Sequence, residues 1–142
     1  MPEPAPPAIL LDTCAAIWLV NGDPMTAQSR AAIGAAQGSG AGVYVSPISA
    51  WEIATLVARS RLQLASSPEA WFGRLVTLPG IRLAAMPPDL LIASAFLPGS
   101  PPRDPADRII AATARAFDQA IVTRNGELTL YAQAGHVVTI GC

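Results

Sequence analysis

Acidic side chains stand at three places where a chain of alternating strands and helices would bring them together. Asp12 follows the apolar run Ile9-Leu10-Leu11, which is typical of a buried parallel strand. Glu52 lies in one predicted helix, and Asp104 and Asp107 lie at the start of another. Ligands of an open α/β sheet bind at the carboxyl ends of its strands. Carboxylates gathered at that edge would favour a hard cation.

Each of these acids also has a purely structural interpretation. Asp12, just before an Ala-rich helix, is typical of a helix N-cap, and Glu52 closes a possible capping box, Ser49-Ala50-Trp51-Glu52. Asp104 and Asp107 are spaced so that both could serve only the dipole of their helix. Asp107, however, continues an otherwise apolar stripe of its helix. A carboxylate in that position needs a cation or several hydrogen bonds beside it. The other members of that stripe are Ile110, Ala111, Ala114 and Phe117.

The composition indicates one domain with an apolar surface. At 142 residues the chain is long enough for one core and too short for two. Hydrophobic residues make up 51% and charged residues only 13%, against a usual charged share of about a quarter. Few charges remain to cover the surface, so we expect exposed apolar area, and hence a homodimer interface or a groove for a partner.

The basic residues limit the mechanisms available to the chain. All nine are arginine, so no mechanism that needs a lysine is open. The net charge of −1 and the pI of about 5.7 argue against a broadly basic nucleic-acid surface. Binding to a phosphate backbone would have to come from a local cluster of arginines or from a metal ion.

The sequence contains no obvious targeting or membrane signal. Residues 1–7 are rich in proline and lack the basic start of a signal peptide, so we expect a disordered leader followed by one domain over 8–142. No apolar run approaches the ~20 residues of a membrane span. Cys14 and Cys142 give neither a disulfide framework nor metal-ligand spacing. We therefore expect a cytoplasmic protein without a membrane segment.

Strand and helix patterns alternate along the chain, which predicts an α/β fold with a mostly parallel sheet and helices on both faces. After the first strand, strands are predicted at 43–45, 81–84, 120–123 and 137–140. Helices are predicted at 14–20, 27–36, 48–60, 68–78 and 90–97, from Asp104 onward, and as one turn at 126–131. The lone His136, at the start of the last strand, is predicted to be a surface residue.

Four segments in this order resemble the PIN-domain family, and within it the VapC-type toxins of bacterial toxin–antitoxin pairs. They are Ile9-Leu10-Leu11-Asp12-Thr13, Ser46 to Ile53, Asp104 to Ala114, and Ile121-Val122-Thr123-Arg124-Asn125. Each motif alone is weak, but four of them at these separations are specific. The resemblance runs from residue 8 to the last strand and implies a PIN-like three-layer sandwich with four or five strands.

PIN domains are metal-dependent ribonucleases, so the resemblance implies that Asp12, Glu52 and Asp107 are catalytic and hold Mg²⁺ or Mn²⁺, with Asp104 as a further ligand. It implies an RNA substrate and an antitoxin partner. Many relatives carry a fourth acid where this chain has Asn125, which can coordinate only through its amide oxygen. The remaining supporting residues are Thr13, Thr123 and Arg108.

Other classes fit less well. A phosphohydrolase of the haloacid-dehalogenase type needs a second Asp where this chain has Cys14, and a phosphoacceptor receiver domain needs a lysine. The serious alternative is a degenerate PIN-like module that only binds a partner protein. The presence of Asp12, Glu52 and Asp107 argues for the enzyme.

Overall fold

A computed structural model describes residues 5–142, which form five strands and seven helices. Of the predicted leader, residues 1–4 lie outside the described residues, and residues 5–7 precede the first strand without regular secondary structure. In chain order the elements are β1 (Ala8–Leu11), α1 (Thr13–Asn21), α2 (Ala27–Ser39), β2 (Val43–Val45), α3 (Pro47–Ala58), α4 (Pro68–Leu75), β3 (Ile81–Leu83), α5 (Pro88–Ala95), α6 (Pro105–Phe117), β4 (Gln119–Thr123), α7 (Gly126–Gln133) and β5 (Val138–Gly141).

The strands form one sheet in the order β3-β2-β1-β4-β5, and every pairing is parallel. The predicted α/β class with a mostly parallel sheet is confirmed. In the centre, Leu11 of β1 lies opposite Val45 on one side and Val122 on the other. After β1 the chain builds outward through β2 and β3, and it later returns to add β4 and β5 on the other side. The junction of β1 and β4 is therefore the switch point, where ligands of such sheets bind.

Alternate residues of the strands pack against different helical layers, which confirms the three-layer arrangement. Ile9 and Leu11 of β1 belong to a core formed with α1, α2, α3 and α4. Leu10, between them, belongs to a second core with α6 and α7. The unbroken apolar run at the start of the domain is thus buried on both faces, as expected of a central parallel strand.

Several helix ends differ from the prediction. Helix α2 continues three residues further, until Gly40 adopts a left-handed conformation (φ +82°) that an L residue with a side chain would adopt only with strain. Helix α7 is a complete eight-residue helix rather than one turn. The buried stripe of α6 ends at Ala114, and Phe117 is 46% exposed, because α6 ends there with Asp118 in a left-handed conformation. Helix α5 lies two residues earlier than the predicted 90–97, with Pro87 as an N-cap that makes no side-chain hydrogen bond.

Three helix starts position the candidate site. Helices α1 and α3 begin directly after β1 and β2, and α6 begins on the opposite layer, so that their first turns face the carboxyl edge of the sheet. Across residues 5–142, none of the helices is both long and apolar enough to span a bilayer.

Candidate active site

A pocket of about 520 Å³ opens at the carboxyl edge of the sheet and contains all four predicted acids. It lies where the strand order predicted a ligand site. The lining residues are Asp12, Thr13, Cys14, Trp18, Glu52, Asp104, Asp107, Arg124 and Asn125. Residues that are up to 113 positions apart in sequence, Asp12 and Asn125, therefore meet in one cavity.

Asp12 is both a helix cap and a member of the pocket, so its two interpretations do not compete. Its Oδ1 accepts a hydrogen bond from the backbone N–H of Ala15 (2.8 Å) and caps α1. Its Oδ2 accepts from the hydroxyl of Thr123 (2.5 Å), across the β1–β4 junction. The residue is only 6% exposed. Burial raises the pKa of this carboxyl, although both hydrogen bonds and the charge of Arg124 oppose the rise.

Glu52 faces Thr13 rather than the start of its own helix. The predicted capping box is wrong, because α3 is capped one turn earlier by Ser46, whose Oγ accepts from the N–H of Ile48 (3.1 Å). Ser49 is buried inside α3 and shares a hydrogen bond of 2.8 Å with the hydroxyl of Thr13. The same Thr13 hydroxyl contacts Glu52 Oε1. Burial raises the pKa of Glu52, the bond from Thr13 opposes the rise, and the charges of nearby acids add to it.

Asp104 and Asp107 differ in what holds them. Asp104 is the N-cap of α6, with its Oδ2 accepting from the backbone N–H of Asp107 (2.9 Å). The side chain of Asp107 is half-buried and accepts a long hydrogen bond from Asn125 Nδ2 (3.3 Å). Burial first, and then repulsion from the other acids, chiefly Asp104 and Glu52, raise the pKa of Asp107 to about 7.

Thr13, Thr123 and Asn125 are at the site, but Arg108 is not. The amide oxygen of Asn125 accepts from the N–H of Leu128 (3.0 Å) and caps α7, so its nitrogen, not its oxygen, faces Asp107. Arg108 points to the α5 side, where it donates to main-chain oxygens at the C-terminal end of α5 and in the loop that follows. These carbonyls belong to Ser94 (3.0 Å), Pro102 (3.2 Å) and Ala95 (3.4 Å).

Three lining residues were not predicted as site residues: Cys14, Trp18 and Arg124. Trp18 stands four positions after Cys14 in α1, a spacing that places both side chains on the same face of the helix. Arg124 directly follows β4, at the edge where Asp12 follows β1, and its guanidinium lies 3.9 Å from the centroid of the Trp18 ring. Position alone could have indicated Arg124, because the ends of adjacent parallel strands meet.

The donor set fits a hard divalent cation in its chemistry. It consists of four carboxylates, and carboxylate oxygens are the ligands that Mg²⁺ and Mn²⁺ prefer. Burial, and after it repulsion from the other acids, raises the pKa of Asp107, and a bound cation offsets both costs. In the part of the chain that the structure describes, no three acidic, cysteine or histidine side chains already converge as a formed ligand set.

With this geometry established, comparison with known families identifies the fold. The family profile described as the PIN domain matches residues 9–133, a span that includes all four acids. This chain belongs to the PIN-domain family.

Known relatives of this PIN-domain protein agree with the resemblance to VapC-type toxins. It is 36% identical over 84 residues to ribonuclease VapC22 of Mycobacterium tuberculosis (strain ATCC 25618 / H37Rv), an alignment covering 59% of this chain and 63% of that protein. The chain thus spans less than two thirds of this curated relative.

Solved structures share the fold at low sequence identity. VapBC2 from Rickettsia felis, bound to a DNA fragment from its promoter, has 12% identity and a TM-score of 0.67, covering 94% of this chain and 98% of that one. FitAcB from Neisseria gonorrhoeae has 20% identity and a TM-score of 0.54, covering 93% and 96%. At such identities the likeness shows the fold.

Proposed function

We propose that this PIN-domain protein is an endoribonuclease toxin that cleaves RNA phosphodiester bonds with the help of Mg²⁺ or Mn²⁺. The observation that carries the proposal is the pocket at the β1–β4 junction, which gathers four carboxylates on a PIN fold. The relative in Mycobacterium tuberculosis is named a ribonuclease, and its similarity supports an RNA substrate.

In this proposal Asp12, Glu52 and Asp107 hold the cation, and Asp104 contributes a further carboxylate at the rim. When bound, such a cation supplies an activated water molecule for attack on phosphorus and offsets the negative charge of the transition state. The protein's own contribution is orientation. Thr123 fixes one oxygen of Asp12, and Thr13 fixes Glu52 relative to α1. Hydroxyls of this kind hold ligand side chains ready for a metal ion.

The alternative function, a degenerate PIN-like module that only binds a protein, requires no intact site. Four carboxylates that line one partly buried pocket are costly to keep ionised: burial first, and then repulsion among the acids, raises the pKa of Asp107. A module that only binds a partner would have no use for that arrangement. We therefore favour the enzyme.

The proposal is tested with purified protein and end-labelled RNAs, incubated with Mg²⁺, with Mn²⁺ and with chelator. We expect discrete cleavage with either metal, none in chelator, and recovery when Mg²⁺ is added back. Asp12→Asn, purified in the same way, controls for contaminating nucleases and should be inactive. Cleavage that continues in chelator would exclude the metal mechanism, and inactivity of folded wild type on every RNA would favour the binding module.

We also propose an antitoxin partner, because large apolar side chains remain exposed. Ile92 (61%) on α5, Phe96 (81%) directly after it and Trp51 (62%) on α3 are among them, as the low charge content predicted. The structural neighbours are described as VapBC and FitAB assemblies, which suggests a protein partner. A homodimer would cover part of the same surface, and the proposed location is the cytoplasm.

Expression in a bacterial host tests the antitoxin. The wild-type chain alone should arrest growth or remain poorly soluble, and co-expression with a protein encoded beside it should reverse both effects. Asp12→Asn alone should permit growth, since arrest would come from RNA cleavage. Normal growth with soluble, folded wild-type protein would contradict the toxin assignment.

A further inference from the structure

Arg124 is the one basic residue that lines the acidic pocket in the part of the chain that the structure describes. Four carboxylates line the same cavity, and such a cluster repels the phosphates of a nucleic acid. A bound cation offsets part of this charge. A guanidinium at the rim offers what the cluster lacks, a group that attracts a phosphate and can bind two of its oxygens at once.

The guanidinium of Arg124 is held in place from two sides. Its Nε donates a hydrogen bond to the main-chain oxygen of Cys142 (2.5 Å), directly after β5. Its central carbon lies 3.9 Å from the centroid of the Trp18 ring, within the distance of a cation–π contact. The guanidinium of Arg124 lies against the Trp18 ring and is fixed at Nε. The side chain therefore loses little further rotamer entropy when it binds a ligand.

Arg124 makes different hydrogen bonds from Arg108 and Arg103, the other arginines named near this end of the molecule. All three donating nitrogens of Arg108 bind main-chain carbonyls, and Arg103 pairs with Glu127 (3.2 Å). Among residues 5–142, Arg124 donates through Nε to the main-chain oxygen of Cys142, and the Cys142 thiol lies beside the same guanidinium. Its two terminal nitrogens carry four N–H donors that are available to a ligand.

We propose that Arg124 binds a phosphate of the RNA substrate beside the carboxylate cluster, with Trp18 holding the plane of its guanidinium. This inference rests on the proposed ribonuclease function and names a substrate-binding residue for it. Trp18 is then a positioning residue that acts through Arg124. The interaction is binding alone, and Arg124 takes no part in proton transfer.

A structural role makes a different set of predictions. If Arg124 only links the end of β4 to the main-chain oxygen of Cys142, then its loss should lower thermal stability without changing how cleavage depends on salt. If it binds a phosphate, its loss should weaken RNA binding, and the salt dependence of RNA binding should become shallower because fewer counterions are released. Because Arg124 and a cation carry like charges, cation affinity should stay the same or rise.

The experiment compares Arg124→Gln with Arg124→Lys and Arg59→Gln. Arg59→Gln removes the same charge from an exposed residue at the far end of α3, away from the pocket lining. For each protein, kcat and KM are measured on one labelled RNA oligonucleotide at saturating Mg²⁺ and several KCl concentrations. Mg²⁺ binding without RNA is measured by calorimetry, and folding by thermal melting.

For Arg124→Gln we expect KM to rise about tenfold, as the loss of one charged phosphate contact implies. The slope of log(kcat/KM) against log[KCl] should fall in magnitude by about 0.7, the value for one contact to a single strand. Arg124→Lys should keep the slope and recover part of KM, and Arg59→Gln should match wild type. An unchanged salt slope in folded Arg124→Gln overturns the proposal, and so does a loss of Mg²⁺ binding large enough to account for the effect.

Trp18 provides a second, independent test. Trp18→Leu removes the aromatic face and should shift KM in the same direction as Arg124→Gln but less, whereas Trp18→Phe should restore it. The double variant Trp18→Leu/Arg124→Gln should be no worse than Arg124→Gln, since both act through one contact. Additive losses would show that Trp18 does not act through Arg124. Failure of wild type to cleave RNA would instead refute the ribonuclease proposal itself.

Discussion

Helices α1 and α6 start with the same kind of N-cap, but the two capping aspartates are buried to very different extents. Each begins with an aspartate whose side chain accepts the backbone N–H three residues later, Asp12 from Ala15 at 2.8 Å and Asp104 from Asp107 at 2.9 Å. Asp12 is 6% exposed and its second oxygen accepts from Thr123, whereas Asp104 is exposed to solvent. A cap uses one oxygen, so the surroundings of the other oxygen determine what else the residue can do.

Topology explains the difference. Asp12 directly follows β1, the central strand, so neighbouring strands and the helices of one layer surround it. Asp104 follows an irregular stretch after α5 and lies at the rim. The buried carboxylate of Asp12 bears a large desolvation cost, which a bound cation would offset. The exposed carboxylate of Asp104 bears no such cost.

Asp12→Asn should produce the largest effect in this comparison. Asparagine caps a helix about as well as aspartate, so α1 should form normally, but the buried charge is lost. We expect RNA cleavage at saturating Mg²⁺ to fall at least about 100-fold, beyond the usual effect of removing a residue that only supports a metal ligand. Unfolding without metal should occur at the same temperature or higher, since repulsion is relieved.

Asp89→Asn is the matched control, because Asp89 lies exposed in the first turn of α5 and makes no side-chain cap. It should leave both cleavage and melting unchanged. If Asp12→Asn instead unfolds in metal-free buffer while Asp89→Asn does not, then Asp12 serves the fold rather than a cation site.

Thr123→Val tests the contact that sets Asp12 apart from Asp104. The Thr123 hydroxyl donates to Asp12 and accepts from the N–H of Asn125 (2.9 Å), so valine leaves two buried polar groups without their partner. We expect a loss of about 1–3 kcal/mol in the free energy of unfolding, measured in urea. Thr129→Val, at an exposed position in α7, should cost less than about 0.5 kcal/mol. Equal small losses in both variants would show that the Thr123 contact is weak.

The raised pKa of Asp107 predicts that the metal-free protein is less stable at higher pH. The carboxyl has a pKa of about 7 in the folded protein against an ordinary 3.8, so the folded state binds the proton more tightly. The resulting stabilisation is complete below pH 3.8 and is lost as the pH rises through 7. The raised pKa values of Asp12 and Glu52 act in the same direction.

Thermal melting in chelator checks this trend. Because Asp107 is partly exposed, we discount the effect to about 1 kcal/mol, or a fall in Tm of about 3 °C between pH 5 and pH 8. Asp107→Asn should flatten the trend, and saturating Mg²⁺ should oppose it, since the cation binds the ionised carboxylates. A Tm that rises over this range in chelator would refute the assigned direction.

The sequence predicted the parallel sheet and the acids at its carboxyl edge, because both depend on hydrophobic periodicity and on the order of strands and helices. An unbroken apolar run before Asp12 indicated a buried parallel strand, and parallel strands bring their carboxyl ends together. The meeting of Asp12, Glu52, Asp104 and Asp107 followed from the order of elements. Their roles as metal ligands stay a prediction.

Details that depend on side-chain direction were less accessible. The capping box ending at Glu52 and the α6 cap at Asp104 satisfy similar local rules, but only the second forms, because Ser46-Pro47 starts α3 earlier and buries Ser49 against Thr13. Arg108 carried a motif match, yet its direction was set by carbonyls at the end of α5. The pairing of Arg124 with Trp18 joins two elements far apart in sequence and left no local signal.

The smallest effect is expected at the exposed cap. Asp104→Ser keeps an oxygen that can accept the N–H of Asp107 but removes the charge, so stability should change by at most about 1 kcal/mol. Any larger effect on cleavage must then be electrostatic. We expect a partial loss of activity at limiting Mg²⁺ that higher Mg²⁺ restores, because mass action overcomes weaker cation binding.

Restoring an acid elsewhere sharpens this test of Asp104. Asn125 faces Asp107 and caps α7, and aspartate is an equally good cap, so Asn125→Asp should preserve α7 while adding a carboxylate to the pocket. In the Asp104→Ser background it should lower the Mg²⁺ concentration needed for half-maximal cleavage. If Asp104→Ser alone cleaves like wild type at limiting Mg²⁺, then Asp104 is only a cap, and burial of the second oxygen is what separates a metal ligand from a helix cap in this fold.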